Sequence, residues 1–377
     1  MERGNKMRIL NVCEVFQAAG IESFIMNMYR NMDKEQVQFD FFVMSKEKEI
    51  YDEEIKALGG KKYGIKVDEK NTLIRIMKEA DLLYRFLLKH PYDVVYIHYT
   101  TPLRAFYLQA CKKANVKVRI YHSHSAFVDG KGKVKTFIYN ILKKQMKKWG
   151  THFFACSHVA ADWMFDQSII QNKQYQVIYN GIDVNKFKYN EEYRQEIRNE
   201  LNLKDEFVFV HTGRFLEQKN HRFLIELFSK YHQEDPNSKL LLLGVGDLQD
   251  EMRALVKTLN LENDVLFLNV RKDVYKVLSG ADCYIMPSLY EGLPVAGIEA
   301  QCSDLPCLFS SEITKEVKLI DDVTFLDLKD EMEVWIKAMK KSKNHIRQDV
   351  SQKIIDGGYD IKKGAKDLQD FYINAIK

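Results

Sequence analysis

The sequence predicts an α/β fold of two Rossmann-like, doubly wound modules in tandem, on three observations. Short apolar runs alternate with amphipathic stretches from end to end, the pattern of βα units in parallel sheets. The alternation continues over 377 residues, more than one hydrophobic core usually serves. The turn dipeptide Asn180-Gly181 divides the series near its middle, where a strand-like run gives way to a charged helix.

In order, the first module is expected to hold strands at 7–13, 38–44, 92–98, 116–122, 152–156 and 175–179. Amphipathic helices such as 20–31 and 71–89 lie between them. The second repeats the theme with strands at 207–212, 239–243, 265–269, 282–286 and 306–310. Modules are expected at 1–180 and 181–355. A last helix at 356–377 follows a Gly357-Gly358 turn, with Ile361, Ala365, Leu368, Phe371, Tyr372 and Ala375 near one face. Ligands of such sheets bind beyond the carboxyl ends of the strands. For two modules facing a central cleft, that cleft is the expected site.

Composition narrows the class. Hydrophobic residues at 46% and charged residues at 29% match a soluble globular protein and exclude a disordered or fibrous one. A net charge of +4 is too mild to argue for nucleic acid. The six cysteines have no CxxC spacing and sit mostly in apolar runs, which suits buried thiols in a reducing compartment. No apolar run approaches the roughly 18 residues that span a bilayer, and no signal-peptide core follows Met1. The polar segment 1–6 reads as an extension before a fold that begins near Met7. A cytoplasmic location is expected.

Two segments carry chemistry. In 213–221, GRFLEQKNH, Gly213 follows a strand, and Arg214 and Lys219 flank a loop that enters a helix near Asn220. Two cations beside a helix N-terminus make a diphosphate receptor. A solvated loop with two ordinary surface cations is the alternative. In 287–301, PSLYEGLPVAGIEAQ, Glu291 lies in the loop after a strand. Pro294 fits a first helical turn, and Glu299 falls one turn inside the helix. Two carboxylates so placed suit the hydroxyls of a sugar and a ribose. Glutamates near a helix start are also simple dipole partners.

Together with AGIESFIMNMYRNMD (19–33), VRIYHSHS (118–125), ACSHVAADWMF (155–165), NGIDVNKF (180–187), LLLGVGDL (241–248) and SSEITKE (310–316), these phrases run in order over nearly the whole chain. On them the chain resembles the retaining GT-B glycosyltransferases of the glycosyltransferase 4 family, in its bacterial polysaccharide-assembly branch.

The resemblance implies an acceptor-binding N-terminal module and a C-terminal module that binds the nucleotide-sugar donor. It also implies a final helix that crosses back onto the N-terminal module. Arg214 and Lys219 match the pair that holds the donor diphosphate. Glu299 matches the ribose-binding glutamate, and Glu291 the one near the donor sugar. The N–H groups of Gly292, Leu293 and Val295 would lie near phosphate or sugar. His122 or His124 matches the histidine facing the reacting sugar; His122 is favoured because it directly follows the run VKVRIY. Gly20 matches the glycine of the first strand-to-helix loop, although relatives carry two glycines where this chain has Ala19-Gly20. Gly244 and Gly246 form a lone G-x-G near the nucleotide, which by itself reads as a plain strand-to-helix turn. Arg271 is placed beside the base.

The expected reaction moves a hexosyl group from a nucleoside diphosphate sugar, a UDP-sugar by family habit, to a saccharide or lipid-linked saccharide hydroxyl with retention. Module closure would exclude water, and the leaving diphosphate would accept the proton. The setting is capsule, exopolysaccharide or lipopolysaccharide assembly. No cofactor is implied, and no metal: Asp-x-Asp occurs nowhere in the chain. The alternatives are a non-catalytic nucleotide-sugar-binding subunit and a GT-B-fold nucleotide-sugar epimerase. A nicotinamide dehydrogenase is excluded, since no G-x-G-x-x-G follows 7–13.

Segment 131–149 holds seven lysines, no acidic residue, and apolar residues Val134, Phe137, Ile138, Ile141, Leu142, Met146 and Trp149 at helical spacing. It reads either as a core-packed helix with a solvated lysine face or as a peripheral contact with an anionic membrane.

Overall fold

The computed structural model describes residues 6–14, 20–124 and 132–377. The chain forms two compact units, Met1–Gly181 with Ile361–Lys377, and Ile182–Asp360.

The first unit is built on β1 (Met7–Cys13), β2 (Val37–Val43), β3 (Lys62–Gly64), β4 (Val94–Tyr99), β5 (Val118–Ser123), β6 (His152–Ala155) and β7 (Gln176–Val177). The second holds β8 (Phe207–Thr212), β9 (Ser238–Leu243), β10 (Val265–Asn269), β11 (Cys283–Met286), β12 (Cys307–Ser310) and β13 (Val323–Leu326). The strand orders are β3-β2-β1-β4-β5-β6-β7 and β10-β9-β8-β11-β12-β13. The pairings are parallel.

Both sheets therefore reverse direction at one point, between β1 and β4 in the first and between β8 and β11 in the second. Helices on each side leave a crevice there, at the carboxyl ends of the strands. Strands covered on both faces read as unbroken apolar runs. LLLL in β9 and VVYI in β4 are buried throughout.

The last helix, Ile361–Ala375, belongs to the first unit and packs on the helix Gly20–Asn31. Ile361, Ala365, Leu368 and Tyr372 enter one cluster with Phe24, Met28 and Tyr29. Gln369 Oε1 accepts from the Asp33 N–H at 2.7 Å. All six cysteines are buried free thiols. No helix among the described residues is long and apolar enough to cross a membrane.

Candidate functional site

The crevice between β8 and β11 gathers most of the chemistry named above. After β8 the chain passes Gly213 and Arg214, buries Phe215, turns through a short 3-10 helix at Glu217–Lys219 and enters the helix His221–Glu234. Asn220 makes that entry with φ +56°, a left-handed conformation that asparagine tolerates. Several bonds lace this loop to the one after β11. Asn220 Nδ2 donates to the Pro287 carbonyl at 3.2 Å, and the Leu289 N–H to the Gln218 carbonyl at 2.8 Å. Gln218 Nε2 donates to the Tyr290 carbonyl at 2.9 Å and to Glu291 Oε2 at 3.3 Å.

Lys219 Nζ reaches Glu291 Oε1 at 2.5 Å. Its stem crosses Gly213, where a Cβ would stand 3.2 Å from Lys219 Cδ and 3.0 Å from His211 Nε2. A side chain at 213 would press on the lysine stem, which would have to give by a few tenths of an ångström. Arg214 is exposed, and its guanidinium has no hydrogen-bond or ion-pair partner among the described residues. The structure thus brings Lys219 and Glu291 together and leaves Arg214 as a cation with room for an anion.

Neither helix that opens on this crevice has a side-chain cap. The helix His221–Glu234 starts at Asn220 without one, and the helix Val295–Cys302 starts at Pro294 without one. Pro294 is the residue before the helix and not in its first turn, a one-residue correction. Uncapped first turns leave N–H groups aimed at the crevice, where the helix dipoles also favour negative charge. The helices that start at Asp183 and Asn190 are capped by those side chains, while the helices Gln249–Thr258, Val274–Gly280, Met332–Lys341 and Ser351–Asp356 lack a side-chain cap as well.

Glu299 is half-buried within the helix Val295–Cys302. Burial pushes its carboxyl up to about 7, against the opposing pull of Lys186. Gly292 is exposed, with open space where a Cβ would stand, and Leu293 is half-buried. His221 stacks on Phe215 at 4.1 Å, and burial holds its imidazole down to about 4, aided by the Lys219 charge. That histidine gives no signal of its own in the sequence, because it falls inside the helix it opens.

The glycines of Gly244-Val245-Gly246 serve the packing of the chain itself. Gly244 has φ +137°, and a Cβ there would lie 2.0 Å from the Gly213 carbonyl oxygen; one at Gly246 would lie 2.5 Å from that of Phe215. Arg271, after the edge strand β10, is committed elsewhere. Its guanidinium donates to Asp273 at 2.7 and 2.8 Å and to Glu200 at 2.8 and 3.2 Å, bonds that raise its pKa.

In the first unit Gly20 opens the helix Gly20–Asn31, exposed and, among the described residues, with nothing within 4 Å of a would-be Cβ. Ala19 lies outside the described residues. The expectation that His122 follows its strand needs correction. β5 runs to Ser123, so His122 is a strand residue sealed in the core, bonded through Nδ1 to the Tyr96 hydroxyl at 2.6 Å. His124 lies just past the strand end and is half-buried. The two imidazoles stack at 3.9 Å, and His98 on β4 joins them, with Nδ1 2.9 Å from His124 Nε2. Burial holds all three neutral, His124 down to about 3. Their ligand atoms lie within 4.8 Å of one another, the one group among the described residues with metal-like clustering.

The basic segment forms the helix Lys133–Trp149, and Lys131 lies outside the described residues. Its apolar residues divide. Leu142 and Met146 are buried, whereas Val134 is 74% exposed, Phe137 65% and Ile141 44%. Val134 borders a cavity of about 820 Å³, also lined by Leu73, Ile76 and Trp163.

Residues 18–186 match the family profile described as Glycosyltransferase Family 4, and residues 193–324 the one described as Glycosyl transferases group 1. The chain is 30% identical to EpsF of Bacillus subtilis (strain 168), described only as a candidate glycosyltransferase, over 98% of this chain and 97% of that one. It is 29% identical to an Escherichia coli UDP-Gal:alpha-D-GlcNAc-diphosphoundecaprenol alpha-1,3-galactosyltransferase, over 81% of each. Among solved structures it is similar to Anabaena HepE in complex with UDP, with TM-score 0.76 at 15% identity over 98% of this chain and 100% of that one. A glycosyltransferase from Rickettsia africae gives 0.75 at 16% identity over 99% of each. At these identities the structural likeness bears on the fold alone.

Proposed function

The chain belongs to the glycosyltransferase 4 family of GT-B enzymes, and we propose that it transfers a hexosyl group from a UDP-sugar to an acceptor hydroxyl with retention. The observation that carries this is the β8/β11 crevice: two uncapped helix N-termini, the unpaired Arg214 and the largely buried Lys219 all meet at one switch point. Such a set suits a diphosphate. The Anabaena relative was solved with UDP bound, and the Escherichia coli relative is named for a UDP-sugar donor. Both support UDP as the nucleotide here.

In this mechanism Arg214, Lys219 and the first-turn N–H groups stabilise the charge that builds on the departing diphosphate. Preorganised donors aimed at such charge supply about 10² to 10³ each. Glu299 accepts from the ribose hydroxyls in its ionised form. Glu291, bonded to Lys219 and Gln218, lies near the sugar. Of the two histidines that the family resemblance offers to the donor sugar, His124 is the one left past its strand end, since His122 is sealed in the core. The chemistry is metal-independent, since the cations and helix starts supply the positive charge. Gly20 and Gly292 each leave room for a ligand to approach the backbone. Arg271, held by two carboxylates, acts on the nucleotide at most by shaping the loop after β10.

The acceptor is a saccharide or lipid-linked saccharide of capsule, exopolysaccharide or lipopolysaccharide assembly, in keeping with the diphosphoundecaprenol acceptor in the Escherichia coli relative's name. The exposed Val134, Phe137 and Ile141, on a helix without acidic residues, favour peripheral docking on an anionic membrane. Thermal-shift titration with a panel of nucleoside diphosphate sugars tests the proposal. A true donor stabilises the protein by mass action, and a panel with no stabilising member removes the donor assignment.

A further inference from the structure

His98 has no assigned role, yet it sits between two polar groups in a way that fixes the protons of its neighbours. Asn11 Nδ2 donates to the Asp40 backbone carbonyl at 3.4 Å, and Asn11 Oδ1 lies 3.1 Å from His98 Nε2. Flipping the amide would set Oδ1 against that carbonyl, two acceptors face to face. Oδ1 therefore accepts, and His98 carries its proton on Nε2. Burial keeps His98 neutral, so its Nδ1 is a bare lone pair.

His124 Nε2, 2.9 Å from that lone pair, must then be the donor. A neutral imidazole has one N–H. With the proton on Nε2, His124 Nδ1 is left as an acceptor. It has no partner among the described residues, and His124 is half-buried past the strand end, whereas His122 is sealed in the core. The ring plane is also held. His122 stacks on His124 at 3.9 Å, and Phe24 meets it edge-on at 5.2 Å.

We infer that His98, anchored by Asn11, is a positioning residue that locks His124 in the Nε2–H tautomer and so presents Nδ1 as an obligate acceptor for a donor-sugar hydroxyl. This rests on the proposal that His124 meets the sugar. The tautomer itself does not. A site of this kind discriminates by leaving its lone pair unpaired when the hydroxyl is absent or replaced by a non-donor. It favours a sugar with a free hydroxyl at that position over the deoxy analogue.

Long-range ¹H–¹⁵N correlation spectra of the full chain labelled with ¹⁵N-histidine, assigned with His124→Gln, read the tautomer directly. The expected result is His124 wholly in the Nε2–H form at pH 7, exchange between tautomers in His98→Leu, and restoration in His98→Gln, whose amide oxygen can accept. Should His98→Leu fail to fold, Asn11→Ala loosens the same lock one step earlier. A Nδ1–H tautomer, an imidazolium, or a spectrum unchanged by these substitutions overturns the lock.

A second readout separates the lock from the sugar contact. With UDP-sugar hydrolysis to UDP as the assay, His98→Leu is expected to lower kcat/KM about tenfold, with UDP affinity unchanged and His98→Gln close to wild type. Unchanged hydrolysis with the tautomer lost refutes the positioning role. A parallel fall in UDP affinity also refutes it, since that marks general damage.

Discussion

Lys219 Nζ lies 2.5 Å from Glu291 Oε1, one ion pair that joins the loop after β8 to the loop after β11. Both side chains are largely buried, and the Glu291 carboxylate keeps a second partner in Gln218. An arriving diphosphate would find Arg214 unpaired and Lys219 already oriented by Glu291. Preorganisation of this kind avoids reorganisation at the moment of reaction.

Arg214→Ala and Lys219→Ala are each expected to lower turnover by about 10² or more. Their stability should differ. Arg214 is exposed and unpaired, so its loss should leave urea unfolding within about 0.5 kcal/mol of wild type. Loss of Lys219 strands a largely buried carboxylate and should cost about 1–3 kcal/mol, part of it recovered in Lys219→Ala/Glu291→Gln. Near-normal turnover in either purified single variant removes that residue from catalysis.

Glu299 gives a pH signature. Its carboxyl is raised to about 7 by burial, above the ordinary 4.5. Between those values the folded chain holds a proton that the unfolded chain has lost. The contribution of Glu299 to stability therefore falls as pH rises through that window. Ribose hydroxyls donate to the ionised form, so binding of a UDP-sugar should tighten from pH 6 to pH 8 and release a proton near neutrality. A UDP-sugar has no phosphate that titrates there. Calorimetry at pH 6.5 in buffers of unlike ionisation heat measures the release, which Glu299→Gln should abolish. Proton uptake, or no change in that variant, contradicts the ribose contact.

The strands Phe207–Thr212 and Met7–Cys13 were legible because they are unbroken apolar runs bounded by polar loops. Lys62–Gly64 and Val323–Leu326 were not. The first is a three-residue edge strand held by pairing with Phe41–Val43, and the second a short strand held by pairing with Cys307–Ser310. Lys62–Gly64 is only half-buried and Val323–Leu326 carries the exposed Thr324, so neither reads as an unbroken apolar run. Arg214, Lys219, Glu291 and Glu299 stand out in the sequence for a local reason: each lies within one strand-loop-helix phrase. His98 does not. A histidine inside VVYIHY looks like core, and its partner Asn11 is 87 residues away.

EDTA should leave the initial rate of UDP-sugar turnover almost unchanged, because Arg214, Lys219 and two helix N-termini supply the positive charge. Complete loss of activity, restored by magnesium or manganese, contradicts a metal-independent site.

Reversing Lys143, Lys144, Lys147 and Lys148 to glutamate tests the membrane surface. Each lysine near an anionic leaflet adds about 1 kcal/mol, so cosedimentation with anionic vesicles should be abolished while UDP-sugar hydrolysis continues. If the parent protein does not bind such vesicles, or the variant binds equally well, the exposed Val134, Phe137 and Ile141 serve some other partner.

The most direct measurement is the anomeric configuration of the sugar first released when the protein hydrolyses a UDP-sugar, followed by ¹H NMR before mutarotation. Water then stands in for the acceptor, and the stereochemistry belongs to the site. A retaining transferase with its diphosphate held by Arg214 and Lys219 yields the anomer of the donor, and Arg214→Ala slows its appearance about 10²-fold. Release of the opposite anomer, or no release from any UDP-sugar that binds, contradicts it.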